Sequence, residues 1–242
     1  MLDHVPFINS SVEMFLNRLF ICALCCLFCG MAHAQFEDVK KGDIIEINGT
    51  KAIVFRVDGN GHGSAMSINA LRGREDAWAT KKKDANNIPA YSETDGMANT
   101  QAVYDYARSN GISLSNFPAF EWCNSLGPSW YIPSIKQMEM FVNYILGNEQ
   151  EYDWDSEDEM EMDVESLTTK EINERILDAG GVPFIANTIS GGWTMGVYTS
   201  TKNSDNKVYV YTMNPKKNMW SFKKMSISSI GKFMMGRAFI DF

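Results

Sequence analysis

Residues 130–141 read WYIPSIKQMEMF, an apolar run that ends in a proline and gives way to a pattern of helical period. Pro133 holds its preceding neighbour extended. Ser134 is suited to cap a following helix, and Gln137 stands three residues on, where a capping box takes Glu or Gln. Met138, Phe141, Val142 and Ile145 fall at i, i+3, i+4 and i+7, the spacing of one buried helical face. The stretch is a strand-to-helix corner, and the elements on either side of it set the fold class.

Upstream, Ile44–Ile47 and Ala52–Val57 are β runs joined by Asn48-Gly49, the strongest short hairpin signal. The turn Asp58-Gly59-Asn60-Gly61 leads to a short run ending near Ile68, so the chain opens as an antiparallel meander. Ala70 to Asp95 is polar and irregular, with Trp78 as its large apolar anchor, and reads as a long surface connection. A helix follows, capped by Asn99 or Thr100, with Val103, Tyr106 and Ala107 on one face and Asn110-Gly111 as its stop. A shorter helix in FPAFEWCNSLG sets Trp122, Cys123 and Leu126 against the core.

Downstream lies an acidic insertion at about residues 148–166 with Trp154 embedded in it. Thr168 and Glu171 form a second capping-box pair for a helix whose apolar side holds Ile172, Ile176 and Leu177, and Gly180-Gly181 ends it. The remainder is β: two runs around a Ser204-Asp205-Asn206 turn, then MWSFKKMSI and KFMMGRAFIDF. Strands, then helices, then strands predict an α+β fold with antiparallel sheets, two to four helices and a long irregular region.

The N-terminus reads as a secretory signal peptide over residues 1–34. Arg18 precedes an apolar run from Leu19 to Met31 that is shorter than the roughly 20 residues a membrane span needs, and Ala32 and Ala34 suit cleavage before Gln35. Met14 gives a better-formed start than Met1. One domain over residues 35–242 is expected, exported to the periplasm, cell surface or exterior, with no transmembrane segment in the mature chain. Four of the five cysteines lie in the leader, so Cys123 has no partner for an internal disulfide after cleavage. Removing Asp3, Glu13 and Arg18 from 30 acidic and 22 basic residues leaves 28 and 21, a net charge of −7. Nucleic acid is therefore excluded as a partner class, since phosphate binding needs clustered Lys and Arg. Lys81-Lys82-Lys83 reads as a solvated loop.

The motifs FPAFEWCNSLG…SWYIPSIKQMEMF, the Gly-Gly helix end, GWTMGVYTSTKNSDNKVYVYTM and the closing GRAFIDF resemble bacterial secreted domains of unknown function with a C-type-lectin-like fold. These carry a Trp-x-x-Pro-Ser/Thr corner, a Ser-Thr-containing strand and an Arg-bearing last strand. More distantly the chain is similar to the formylglycine-generating enzymes. The resemblance runs from about Asp38 to Phe242, with its recognisable motifs in 119–138 and 192–242. It implies first and last strands paired, helices packed on the sheet, and Trp130, Pro133 and Arg237 as scaffold. It does not bring the formylglycine-generating activity with it, because that uses a pair of active-site cysteines holding copper and only Cys123 remains after the leader.

Other chemistry is weakly represented. His62, in GNGHGS, is the one histidine of the mature chain, and no Gly-x-Ser-x-Gly elbow or zinc-spaced pair exists. Asp153, Asp155 and Glu157 alternate like the first ligands of a calcium loop, with Asp158 beside them. However, Asp158 occupies the position of the sharp-turn Gly and Val164 that of the bidentate carboxylate, so a solvated acidic insertion is the stronger reading. Asn203, Asp205 and Asn206 are side chains of the kind that bind sugar hydroxyls and equally those a hairpin turn selects, while Trp193 offers a stacking face or a core ring. No cofactor is expected, calcium excepted. The predicted function is a non-catalytic exported binding or adhesion module at the bacterial envelope or surface, for glycan or protein. The alternative is a structural or assembly subunit of a surface appendage or secretion complex, which an exposed sheet edge would favour, and an enzyme of unknown reaction comes third.

Overall fold

The computed structural model describes residues 36–71, 78–145, 147, 159–161, 167–183, 195–204, 206–214, 219–227 and 234–242. Strands β1 (Ile44–Ile47), β2 (Thr50–Gly59) and β3 (His62–Ser67) form the opening meander. Its two tight turns put Asn48 and Gly49, then Asn60 and Gly61, at positive φ, as the twist-compatible hairpin turn requires at both central positions. Strand β9 (Phe239–Asp241) completes a sheet of order β1-β2-β3-β9. The last strand thus pairs with the third and leaves the first on the far edge, which corrects the expected first–last pairing.

A second sheet has the order β4-β7-β6-β5-β8, built from β4 (Glu159–Glu161), β5 (Met195–Ser204), β6 (Lys207–Asn214), β7 (Met219–Ser226) and β8 (Met234–Met235). Its pairs are antiparallel except the two-residue β5–β8 contact. Two expectations change here. The acidic insertion contributes an edge strand, since Glu159–Glu161 pairs with Met219–Ser221. The closing stretch, read as one strand, divides between the two sheets at Gly236–Ala238.

The helices are α1 (Lys82–Ala85), α2 (Gly96–Ser109), α3 (Pro118–Leu126), α4 (Ile135–Ile145) and α5 (Leu167–Asp178). That is five among the described residues, one more than the upper bound read from sequence. Helix α2 starts a turn earlier than expected: Asp95 is its N-cap, accepting from the Ala98 N–H at 2.8 Å, while Asn99 and Thr100 are buried inside it. Thr168 likewise lies within α5 rather than before it, and Glu171 binds Arg175 at 2.7 Å. Leu177 is 53 % exposed, so from Lys170 onward the buried side chains of α5 are Ile172 and Ile176. The glycine stops hold: Gly181 donates to the Ile176 carbonyl at 2.8 Å and Gly180 to that of Leu177 at 2.9 Å, the paired bonds of a Schellman cap.

Alternate residues of the same strands feed two cores. Ala52, Val54, Ala65, Tyr198, Val208, Val210 and Ile240 join Trp78, Val103 and Phe120 in one. Ile53, Phe55, Met66, Val197, Tyr211 and Phe239 join Met138, Phe141, Val142 and Ile176 in the other. The sheets are therefore covered on both faces, which explains the uninterrupted apolar run AIVF in β2. The polar segment after Ala70 is also less superficial than its composition suggests, because Trp78, Ala85, Ile88 and Ala90 are fully buried.

The corner at Trp130–Ile135 joins the sheets. Tyr131 makes a two-way backbone bridge to Phe239 at 3.0 and 2.8 Å. Two residues on, the Pro133 carbonyl accepts from the Ser200 N–H at 2.8 Å, and the Ile135 N–H donates to Thr201 Oγ1 at 3.1 Å. The capping box forms as expected, with the Ser134 N–H donating to Gln137 Oε1 at 3.0 Å and the Gln137 N–H to Ser134 Oγ at 3.4 Å. Gln137 Oε1 also accepts from the Gly96 N–H at 2.9 Å, so one amide caps both α4 and α2.

Candidate functional site

Of the residues singled out as ligand contacts, Asn203 and Asn206 are placed at the β5–β6 hairpin, whereas Trp193 and Asp205 lie outside the described residues. So do the calcium candidates Asp153, Asp155, Glu157 and Asp158. Among the described residues no group of three or more His, Cys, Asp and Glu side chains comes together as a metal site would need. Asn203 is exposed and donates from Nδ2 to the Tyr209 hydroxyl at 2.7 Å. Asn206 is half-buried, and its carbonyl accepts from the Ile227 N–H at 2.9 Å, which closes the hairpin against the end of β7.

Register then assembles a side-chain face around Asn203. Tyr209 sits opposite Lys224 and Lys207 opposite Ser226, and residues two apart on β6 point to the same side. Lys207, Tyr209, Lys224 and Ser226 therefore share one face, continuous with Tyr211 and the second core. Tyr209 is half-buried against that core, and the Lys224 ammonium stands 5.8 Å from its ring centroid, within cation–π reach. Lys207 and Lys224 are exposed. Tyr209, Lys207 and Lys224 were not singled out from sequence, although the alternation in KVYVYT and the lysine content around it were visible there.

Several polar side chains buried elsewhere hold elements together. Asn99 Nδ2 donates to the Ser92 carbonyl at 2.7 Å and to Ser200 Oγ at 3.2 Å, while Thr201 Oγ1 donates to that same carbonyl at 2.8 Å. Lys202, 2 % exposed, directs its ammonium at the carbonyls of Ala85, Asn86 and Ile88 at 2.8, 3.0 and 2.9 Å, with the Tyr91 ring 4.9 Å away. This tether draws the segment after Trp78 onto the sheet. Arg237 is fully buried and donates to the carbonyls of Ser67, Ile68, Val182 and Pro183 at 2.7–3.2 Å. A fixed fork of five donors suits four divergent carbonyls, and Arg237 is thereby a scaffold residue.

Two further clusters carry titratable groups. Ser64 Oγ and the Tyr131 hydroxyl donate to the two oxygens of Asp241 at 2.6 and 2.9 Å, and Gln137 Nε2 donates to Tyr131 at 3.0 Å. Burial, reinforced by the Asp241 carboxylate, holds the Tyr131 hydroxyl far above the ordinary tyrosine range. Cys123 is buried beside Tyr104, and burial raises its thiol well above the usual cysteine value. A thiol kept protonated is a poor nucleophile and a good core filler. His62 opens β3 on the surface.

No protein-family model matches the chain, and comparison with curated proteins finds no match. Among solved structures it is similar to a fimbrial protein from Bacteroides ovatus, at 14 % identity and a TM-score of 0.42 over 75 % of this chain and 36 % of that one. A likeness of that size supports no conclusion about what this chain does. No helix among the described residues is long and apolar enough to cross a membrane.

Proposed function

We propose that this chain is an exported, non-catalytic binding module working at or outside the bacterial envelope, and that it meets its ligand, a glycan or a protein surface, with the face around Tyr209. The supporting observation is the Asn203–Tyr209 pair: an exposed amide orients a tyrosine hydroxyl at 2.7 Å beside the β5–β6 hairpin, whereas the buried polar side chains Thr201 and Lys202 of the same sheet bond the scaffold. An amide, a hydroxyl and a partly exposed ring supply the donors, acceptors and apolar surface that a sugar ring or a polar protein patch requires. The C-type-lectin-like architecture belongs to this reading, and the scaffold positions of Trp130, Pro133 and Arg237 support it. The test is a glycan panel scored by thermal unfolding of wild type and Asn203→Ala. A ligand at a hundred times its dissociation constant adds about 2.7 kcal/mol to wild type, and the variant is expected to lose that shift. A shift that persists in Asn203→Ala, or hydrolytic turnover of a polysaccharide, refutes the proposal.

A structural or assembly subunit is the second reading. It is favoured by β1, which pairs with β2 on one side and with no other strand among the described residues, leaving a sheet edge of the kind that joins subunits.

A further inference from the structure

The charge of the chain is distributed unevenly. Between Met195 and Ser226 stand six lysines (Lys202, Lys207, Lys216, Lys217, Lys223 and Lys224) against Asp205 as the sole acidic residue, a local charge of +5 in a chain whose total is −8. The described strands of this region, β5, β6 and β7, contain no Asp or Glu. Lys202 is consumed by the carbonyls of Ala85, Asn86 and Ile88. Lys207 and Lys224 instead stay exposed on the Tyr209 face, one two residues before Tyr209 on β6 and the other opposite it on β7. Isolated surface lysines in an acidic protein are ordinarily interspersed with carboxylates, and two exposed lysines beside one aromatic side chain, on strands without a carboxylate, concentrate positive potential over one small area.

Resting on the binding reading above, we infer that the ligand of this face is an acidic polysaccharide, a chain of carboxylated sugars. Lys207 and Lys224 pair with its carboxylates, Asn203 and the Tyr209 hydroxyl bond its hydroxyls, and the Tyr209 ring packs against a sugar face. A polysaccharide fits better than an acidic peptide strand because the recognising groups are side chains on a sheet face. β6 is already hydrogen-bonded to β5 and β7, so Lys207 and Tyr209 stand on a strand that offers no backbone ladder to an added one.

The experiment measures binding of the full exported chain to polygalacturonate, to its fully methyl-esterified form and to poly-glutamate, each at low and high salt. Polygalacturonate is expected to bind and the neutral ester to bind at least tenfold more weakly. Affinity should fall as salt shortens the screening length from about 10 Å at 0.1 M to about 3 Å at 1 M. The double variant Lys207→Ala/Lys224→Ala should lose about tenfold in affinity, the size expected of two exposed ion contacts, with its melting temperature unchanged. Equal binding of ester and acid, or an unaffected double variant, overturns the anionic class while leaving a glycan site in place. Poly-glutamate binding as tightly as polygalacturonate overturns the choice of polysaccharide. Failure of every sugar polymer, in this assay and in the panel above, removes the glycan reading itself.

Discussion

Gln137 is expected to matter more to stability than the serine that caps its helix. In an ordinary capping box the Ser or Thr side chain makes the stronger bond, and its loss costs about 1 kcal/mol. Here Ser134 Oγ is 3.4 Å from the N–H it accepts, whereas Gln137 Oε1 accepts two backbone N–H groups, at 3.0 Å from Ser134 and 2.9 Å from Gly96. Its Nε2 adds a bond of 3.0 Å to Tyr131. Gln137→Ala deletes all three and strands two helix-terminal donors in a partly buried place, at about 1 kcal/mol for each bonded donor. A loss of about 2–3 kcal/mol follows, against at most about 1 kcal/mol for Ser134→Ala. For a chain of this size, 2–3 kcal/mol lowers the melting temperature by roughly 4–12 °C. Urea unfolding followed by tryptophan fluorescence reports both variants, since Trp78 and Trp130 are buried. A Gln137→Ala loss under about 0.5 kcal/mol, or a Ser134→Ala loss equal to it, would show that the shared cap does not join α2 to α4 as described.

Other outcomes follow from the same geometry. Gly96→Ala places a methyl group 2.6 Å from both the Ile132 carbonyl oxygen and the Ser134 nitrogen, backbone atoms that cannot rotate aside. It should cost about 3 kcal/mol by overpacking, against roughly 1–2 kcal/mol for Gly59→Ala, where φ is +88° and no atom lies within 4 Å; equal losses in urea titration would refute the contact. Ile176→Ala should lose about 2–5 kcal/mol and Leu177→Ala less than about 0.5 kcal/mol, where the sequence put both on the apolar side, and a urea midpoint comparison decides. At alkaline pH, Tyr131, Tyr211 and Cys123 keep protons that the unfolded chain loses, because burial raises all three. Their contribution is fully present below the unfolded values of about 8.5 for Cys and 10 for Tyr. It is lost as pH climbs from there toward the folded values, at up to about 1.4 kcal/mol per unit per group. Stability measured from pH 8 to 11 should begin to fall near about pH 8.5 and steepen above about pH 10, where the tyrosines join, and a flat profile would contradict their burial.

Features that depend on neighbours along the chain could be read directly from the residues. The Asn-Gly turns, the Ser134–Gln137 box, the buried face of α4 and the Gly180-Gly181 stop are local: a turn's φ requirements and a helix's period are written in consecutive residues. Where a local signal had a competitor, tertiary contacts chose. Asn99 and Thr100 are good caps in isolation, but Asn99 binds Ser92 and Ser200, and the Thr100 hydroxyl accepts from the Ile132 N–H at 3.0 Å, so the cap passes to Asp95. The long-range decisions had no local trace. That Phe239 and Ser200 both bond the one corner, that β9 joins β3 rather than β1, and that Lys202 reaches back more than a hundred residues to three carbonyls all depend on which surfaces meet once two cores close. The candidate site divides along the same line. Asn203 and Asn206 were legible as hairpin residues with sugar-binding chemistry. Their company, the Tyr209 ring with Lys207 and Lys224 around it, depends on β6–β7 register, because pairing over a sheet and not distance along the chain sets which side chains share a face.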